Sequence, residues 1–131
     1  MRHALPAALI LLLAGTAPAL AQPHADCLRV GQVRDFQPMP DNRTLIVTDN
    51  LRHKYKVSLL GVCPDLKWRI GLGFHSRSAG SLSCLGSGDE VIMRRGPGGL
   101  GGRCPIQKIV PYTHEMERAD AAAAAAARAN R

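Results

Sequence analysis

The clearest structural signal in the chain is the alternating stretch Leu66-Lys67-Trp68-Arg69-Ile70-Gly71-Leu72-Gly73-Phe74-His75. Every even-numbered position in it is large and apolar, whereas the odd-numbered positions carry basic side chains, glycines or a histidine. Successive side chains of a β-strand point to opposite faces, so this period of two predicts a strand with one buried and one solvated face. A helix would spread the same apolar side chains around its circumference.

Shorter strand-like segments lie on both sides of this stretch. Tyr55, Val57 and Leu59 alternate with polar residues, and the β-branched segment 44–48 precedes them. Asp49-Asn50 between the two segments favours a turn, which predicts a β-hairpin. The other predicted strands are Leu28–Phe36, Ser81–Leu85, Glu90–Arg94 and Ile106–Tyr112. In the first of these, the odd spacing of Val30 and Val33 predicts a bulge or a late start of the strand.

Turn residues separate these segments, and no helical period runs through them. The pattern therefore predicts an all-β fold, an antiparallel sandwich or small barrel of about six to seven strands. We expect this β domain to span residues 22–112.

The last segment, residues 113–131, has a different character. Thr113 can cap a helix, with Glu115 and Glu117 in the first turn, where negative charge suits the helix dipole. The seven alanines from Ala121 to Ala127 also favour a helix. The segment has no apolar stripe with which to dock. We therefore expect an alanine-rich tail that is either a solvated helix or disordered.

The first segment, residues 1–21, reads as a signal peptide. A short positive start precedes the apolar run Ala4–Leu13, and Ala19-Leu20-Ala21 provides the small residues read by a signal peptidase. The run is shorter than the ~20 apolar residues that a membrane span needs. We expect cleavage after Ala21, a mature form without a membrane span, and a periplasmic or secreted location.

The cysteines are Cys27, Cys63, Cys84 and Cys104, all in the expected mature part. An even count in a small exported domain favours two disulfides, whereas structural zinc sites use close pairs such as C-x2-C, which are absent here. Sequence alone leaves three connectivities open. Because the terminal strands of a closed sheet tend to be neighbours, the topology favours Cys27–Cys104 and Cys63–Cys84.

Charge is the broadest functional signal. The chain carries 17 basic and 10 acidic side chains, a net charge of +7. Lys54, Lys56, Lys67 and Arg69 fall on the polar sides of two predicted strands, where they would form a patch that attracts phosphates or acidic glycans of an anionic envelope component. The alternative is general solubility. Nucleic-acid binding is not expected, because exposed aromatic platforms are not evident.

Length and motifs limit the remaining functions. A chain of 131 residues leaves room for one domain, which excludes a multidomain enzyme and a polytopic membrane protein. Gly96–Gly101 matches G-x-G-x-x-G, but no helix can begin after it, so we expect a flexible loop. We predict no catalytic, cofactor-binding or metal residues. The sequence favours a non-catalytic binding or envelope accessory protein; the alternative is a small periplasmic hydrolase whose site gathers distant His and Asp residues.

The order of several short elements resembles a family of small exported bacterial proteins known only as a domain of unknown function. These elements are Cys27-Leu28-Arg29-Val30, Tyr55-Lys56-Val57-Ser58-Leu59, Cys63-Pro64-Asp65-Leu66, the segment from Cys84 to Asp89, and Cys104-Pro105-Ile106. The resemblance covers approximately residues 26–111. No activity is established for that family, so the resemblance implies none for this chain.

Overall fold

The computed structural model describes residues 27–64, 66, 71–78, 83–95 and 99–131. Its elements are a 3₁₀ turn at Val30–Gln32, strands β1 (Val33–Pro38), β2 (Thr44–Asp49), β3 (Lys54–Leu59), β4 (Leu72–His75), β5 (Glu90–Arg95) and β6 (Gly99–Pro111), and helix α1 (His114–Ala129).

The six strands form one antiparallel sheet in the order β1-β2-β3-β6-β5-β4. The sheet curls into a half-barrel, which confirms the all-β prediction. Strand β6 has 13 residues and pairs with β5 through its first part and with β3 through its second. It therefore joins the three strands β1, β2 and β3 to the two strands β5 and β4.

The core lies on one face of the sheet. Buried side chains alternate along β2 and β3, as the period of two predicts, and continue onto β5 and β6. Segments outside the strands complete the cluster with Leu28, Leu66 and Leu85. Burying one such aliphatic side chain stabilises the fold by about 1.5–3 kcal/mol.

The ten-residue strand predicted at residues 66–75 is wrong in its extent. Of the described residues in this stretch, Leu72–His75 form a strand, and Leu66 lies in a turn although it is fully buried. Gly71 has φ of 77°, a left-handed conformation that an extended strand cannot contain. Lys67 to Ile70 lie outside the described residues.

Other predicted strands agree more closely. The β2–β3 hairpin is confirmed, and β1 both starts late and shifts register between Val33 and Asp35. The strand predicted at Ser81–Leu85 is wrong for its described residues, because Cys84 makes only an isolated bridge with Arg29.

The loop predicted for the glycine-rich segment is wrong for its described residues. Gly99 to Gly102 belong to β6, whereas residues 96–98 lie outside the described ones. A Cβ atom on Gly101 would overlap the carbonyl of Met93 on β5, next to a register shift between Ile92 and Arg94. Glycine is needed here because the two backbones approach too closely for a side chain.

Both disulfides form, but not in the predicted pairing. Cys27 is bonded to Cys84 and Cys63 to Cys104, with Cα–Cα distances of 5.0 and 6.0 Å. The prediction assumed neighbouring terminal strands, yet β2 and β3 separate β1 from β6. The segment before β1 instead meets the Cys84 segment, where the amide of Leu85 donates to the carbonyl of Leu28 at 2.7 Å. Cys63 follows β3, whose neighbour β6 carries Cys104.

Candidate functional site

Helix α1 lies against the polar face of β3. Tyr55, Val57 and Leu59 enter the core, so the alternate residues Lys54 and Lys56 point to the opposite face. The Lys54 ammonium donates to Oε1 of Glu117 at 2.9 Å. The Lys56 ammonium donates to both carboxylate oxygens of Asp120, at 3.1 and 2.9 Å. Two lysine–carboxylate pairs thus connect the sheet to the helix.

Tyr112 adds a third group to this contact. Its hydroxyl donates to Oδ2 of Asp120 at 3.1 Å, and the Lys56 nitrogen lies 5.9 Å from the centre of its ring. Desolvation, together with the hydrogen bond to Asp120, raises the pKa of Tyr112 to about 12. The hydrogen bond from Lys56 lowers the pKa of Asp120, and that from Lys54 lowers the pKa of Glu117. At neutral pH the contact therefore consists of a neutral phenol, two carboxylates and two ammonium groups.

The helix itself follows from local sequence. The side-chain oxygen of Thr113 accepts a hydrogen bond from the amide of Met116 at 3.3 Å, which confirms the predicted cap. Of the two outcomes expected for the tail, the structure has the helix. Within α1, all of whose residues are described, none is buried. Polar contacts rather than apolar packing therefore dock the helix.

A groove of about 240 Å³ opens beside this contact, between the β2–β3 turn and the start of α1. Arg52, His53, Lys54, Tyr112, His114 and Glu117 are among the residues that line it. Among these, Arg52 and Lys54 are cationic, and Glu117, which pairs with Lys54, is the single carboxylate.

Asp49 shapes the turn at the edge of the groove. Its carboxylate is 2% exposed and accepts hydrogen bonds from the amides of Leu51 and His53 at 2.9 and 2.8 Å. Its other oxygen contacts Nδ1 of His53 at 3.1 Å. Arg52, between them, has φ of 69°, which few residues other than glycine adopt. The buried aspartate therefore holds the turn in the conformation that places Arg52 and His53 beside the helix.

Asp89 has the same structural role at another loop. It is 6% exposed and accepts hydrogen bonds from the amides of Arg77 and Gly86, both at 2.9 Å. The sequence predicts Asp49 only as a turn residue and suggests no role for Asp89, because the burial of a carboxylate against backbone amides leaves no distinctive motif.

The predicted anion-binding residues have different placements. Lys54 and Lys56 are adjacent on the helix-facing side of β3 and both contact helix carboxylates. Lys67 and Arg69 lie outside the described residues. Lys108 on β6, which the sequence analysis did not single out, is directly opposite Ser58 and so lies on the same face as Lys54 and Lys56. That face carries three lysines among the described residues.

In the part of the chain that the structure describes, no three His, Cys, Asp or Glu side chains are grouped so that they could hold a metal ion. Among the described residues no helix has the length and apolar character needed to cross a membrane.

Comparison with known proteins places the chain in a family. Neither a curated protein nor a solved structure matches it significantly. Residues 1–130, nearly the whole chain, match a family of unknown function (DUF6491). The chain therefore belongs to this family of unknown function, which confirms the resemblance seen in its sequence.

Proposed function

We propose that this protein is an exported, non-catalytic binding or accessory protein of the cell envelope, whose helix-facing sheet surface binds phosphate groups of an anionic envelope component. The observation that carries the proposal is the arrangement of Lys54, Lys56 and Lys108 on one face of two paired strands. We call these three residues the lysine face. Arg52 extends the positive charge to the adjoining groove.

The lysine face has both charge and donor capacity for such a ligand. The Lys54 side chain is 44% exposed and that of Lys56 is 24% exposed. An ammonium group has three donor hydrogens, which can bind phosphate oxygens as they bind the oxygens of a carboxylate. Phosphate binds several such donors at once, and nearby positive charges steer it from a distance.

The disulfides support the location in this proposal. Disulfides form and persist in the periplasm and outside the cell, and are rare in the reducing cytosol. The Cys63–Cys104 bond is buried within the core, so the fold is built around it. The signal-like segment 1–21 supplies the means of export.

Retention on a lipopolysaccharide resin tests the ligand class. We compare the triple variant Lys54→Gln, Lys56→Gln, Lys108→Gln with a control that also loses three positive charges, Arg29→Gln, Arg43→Gln, Arg77→Gln. We expect the first variant to elute at clearly lower salt than the control. It has lost the lysine face and keeps only dispersed surface charges, which salt screens readily. Equal elution of the two variants would mean that only net charge matters and would refute the lysine face as a site.

The hydrolase alternative rests on one observation, the contact between His53 and the buried Asp49 at the groove. A carboxylate that orients a histidine can make it a general base. Hydrolysis of a model phosphodiester or ester by the purified protein, abolished by His53→Gln but unaffected by His114→Gln, would favour this alternative over binding alone.

A further inference from the structure

We propose that helix α1 is an intramolecular competitor for the lysine face, which an anionic ligand has to displace before Lys54 and Lys56 can bind it. The inference rests on the proposed function, because it concerns the regulation of the same lysines. In this view the carboxylates of Glu117 and Asp120 occupy the positions that the anionic groups of the ligand take.

The spacing of the charges supports the competition. Lys54 and Lys56 are two residues apart on a strand, a distance of roughly 6.6 Å along its axis. Glu117 and Asp120 are three residues apart on one side of a helix, roughly 4.5 Å along its axis. Each lysine meets a separate carboxylate at 2.9 Å, so the two pairs form in register. A ligand with two neighbouring phosphates would present the same pattern of charge.

The way the helix is held makes it removable. No residue of α1 is buried, whereas the sheet has its own apolar core on the opposite face. The helix is covalently continuous with β6 but takes part in neither disulfide. Ion pairs at exposed positions are individually weak, so a multivalent anion can outcompete them. Release of α1 would therefore leave the disulfide-linked sheet intact.

The helix can also persist after release. Thr113 caps its first turn, and the alanine run 121–127 has the highest intrinsic helix propensity. The two acidic residues in its first turn, Glu115 and Glu117, stabilise the helix through a favourable interaction with its dipole. The undocked segment then keeps part of its helical structure, opens more often than in the docked state, and can return when the ligand leaves.

Binding of inositol hexakisphosphate, a soluble cluster of phosphates, tests the competition by calorimetry. The variant Glu117→Gln, Asp120→Asn removes both competing carboxylates. The control Glu115→Gln, Asp35→Asn removes the same number of negative charges at exposed positions without breaking either lysine pair. We expect the first variant to bind at least about fivefold more tightly than the unchanged protein, the lower end of typical coupling between sites. We expect the control to change affinity less than about twofold, since screening weakens distant charges.

Hydrogen exchange of residues 112–131 gives a second readout in the unchanged protein. Displacement predicts faster exchange in this segment when inositol hexakisphosphate is added, and faster exchange without ligand in the Glu117→Gln, Asp120→Asn variant. Equal affinity gains in the two double variants, or binding without faster exchange, would overturn the competition and leave the binding function standing. No binding by any variant, together with unchanged retention of the triple lysine variant on lipopolysaccharide, would instead overturn the proposed function itself.

Discussion

The two faces of β3 hold their neighbours by different interactions. On one face Tyr55, Val57 and Leu59 are at most 4% exposed and pack into the apolar core. On the other, Lys54 and Lys56 remain partly exposed and contact carboxylates of α1. A buried aliphatic side chain contributes about 1.5–3 kcal/mol, whereas ion pairs at exposed positions contribute far less because water and salt screen them. The core face thus determines whether the domain folds, whereas Lys54 and Lys56 on the other face hold helix α1 against the sheet.

Removal of the buried disulfide is expected to have the largest effect on the core face. The Cys63–Cys104 bond closes a loop with a sequence separation of 41 residues. Its loss through Cys63→Ala, Cys104→Ala should lower the free energy of unfolding by about 4 kcal/mol, because the unfolded chain gains conformational entropy. Urea unfolding under non-reducing conditions measures this.

The second disulfide is the matched comparison. Cys27–Cys84 spans a sequence separation of 57 residues, but Cys84 is exposed. The variant Cys27→Ala, Cys84→Ala should therefore lower the free energy of unfolding through a similar gain of entropy in the unfolded chain, with less loss of packing in the folded protein. A linked peptide joining Cys27 to Cys104 in non-reducing peptide maps would contradict both the connectivity and this comparison.

Truncation of Leu45 should have the next largest effect. Leu45 on β2 is fully buried, while its neighbour Ile46 points to the opposite face and is only half-buried. We expect Leu45→Ala to lower the free energy of unfolding by about 3 kcal/mol, since it leaves a cavity in the core. Ile46→Ala is the control, and a loss as large as that of Leu45→Ala would show that both faces are equally packed.

Gly101 tests the close approach of β5 and β6. Gly101→Ala forces a methyl group against the Met93 carbonyl, and we expect a loss of about 2 kcal/mol from the resulting backbone shift. Gly102→Ala is a matched control, because its new methyl group would meet only the flexible end of the Met93 side chain, at 3.2 Å. Thermal unfolding compares the two; equal midpoints would show that the strands can separate without cost.

Local patterns predicted the parts of this molecule that depend on neighbouring residues. The period of two placed Tyr55, Val57 and Leu59 in the core and the lysines of β3 on the other face. The Asp49-Asn50 turn and the Thr113 cap were also predictable, since each depends on backbone groups only a few residues away.

Features that depend on strand order were not predictable. The partner of Cys27 is determined by the meeting of the segment before β1 with the Cys84 segment, and no local pattern records that contact. The pairing of Lys54 with Glu117 joins residues 63 positions apart. The composition of Gly99 to Gly102 predicts a loop. Glycine is required at position 101, however, because the neighbouring strand β5 approaches it closely.

The pH dependence of helix docking should be the smallest effect, and it is specific to the lysine face. The pKa values of Glu117 and Asp120 are lowered in the folded protein. Their contribution to the stability of helix docking is therefore fully present above their unfolded pKa values and is lost as the pH falls through their lowered, folded-state pKa values. The pKa of Tyr112 is raised to about 12. Its contribution to the stability of helix docking is therefore fully present below the usual tyrosine pKa near 10 and is lost as the pH rises toward 12. Docking should therefore be strongest between mildly acidic pH and about pH 10.

Ultraviolet titration of the tyrosines measures the alkaline limit directly. Asp120→Asn removes the charge that opposes ionisation of the Tyr112 hydroxyl, so we expect the pKa of Tyr112 to move from about 12 toward its ordinary value. Hydrogen exchange of residues 112–131 should accelerate in the same variant, while the free energy of unfolding of the sheet changes by less than about 1 kcal/mol, as for an exposed ion pair. Glu115→Gln is the control, because Glu115 belongs to the same helix but is not among the groups that raise this pKa. A tyrosine titration unchanged by Asp120→Asn would mean that Tyr112 and Asp120 are not in contact in solution, and the two faces of β3 would then differ less than the structure indicates.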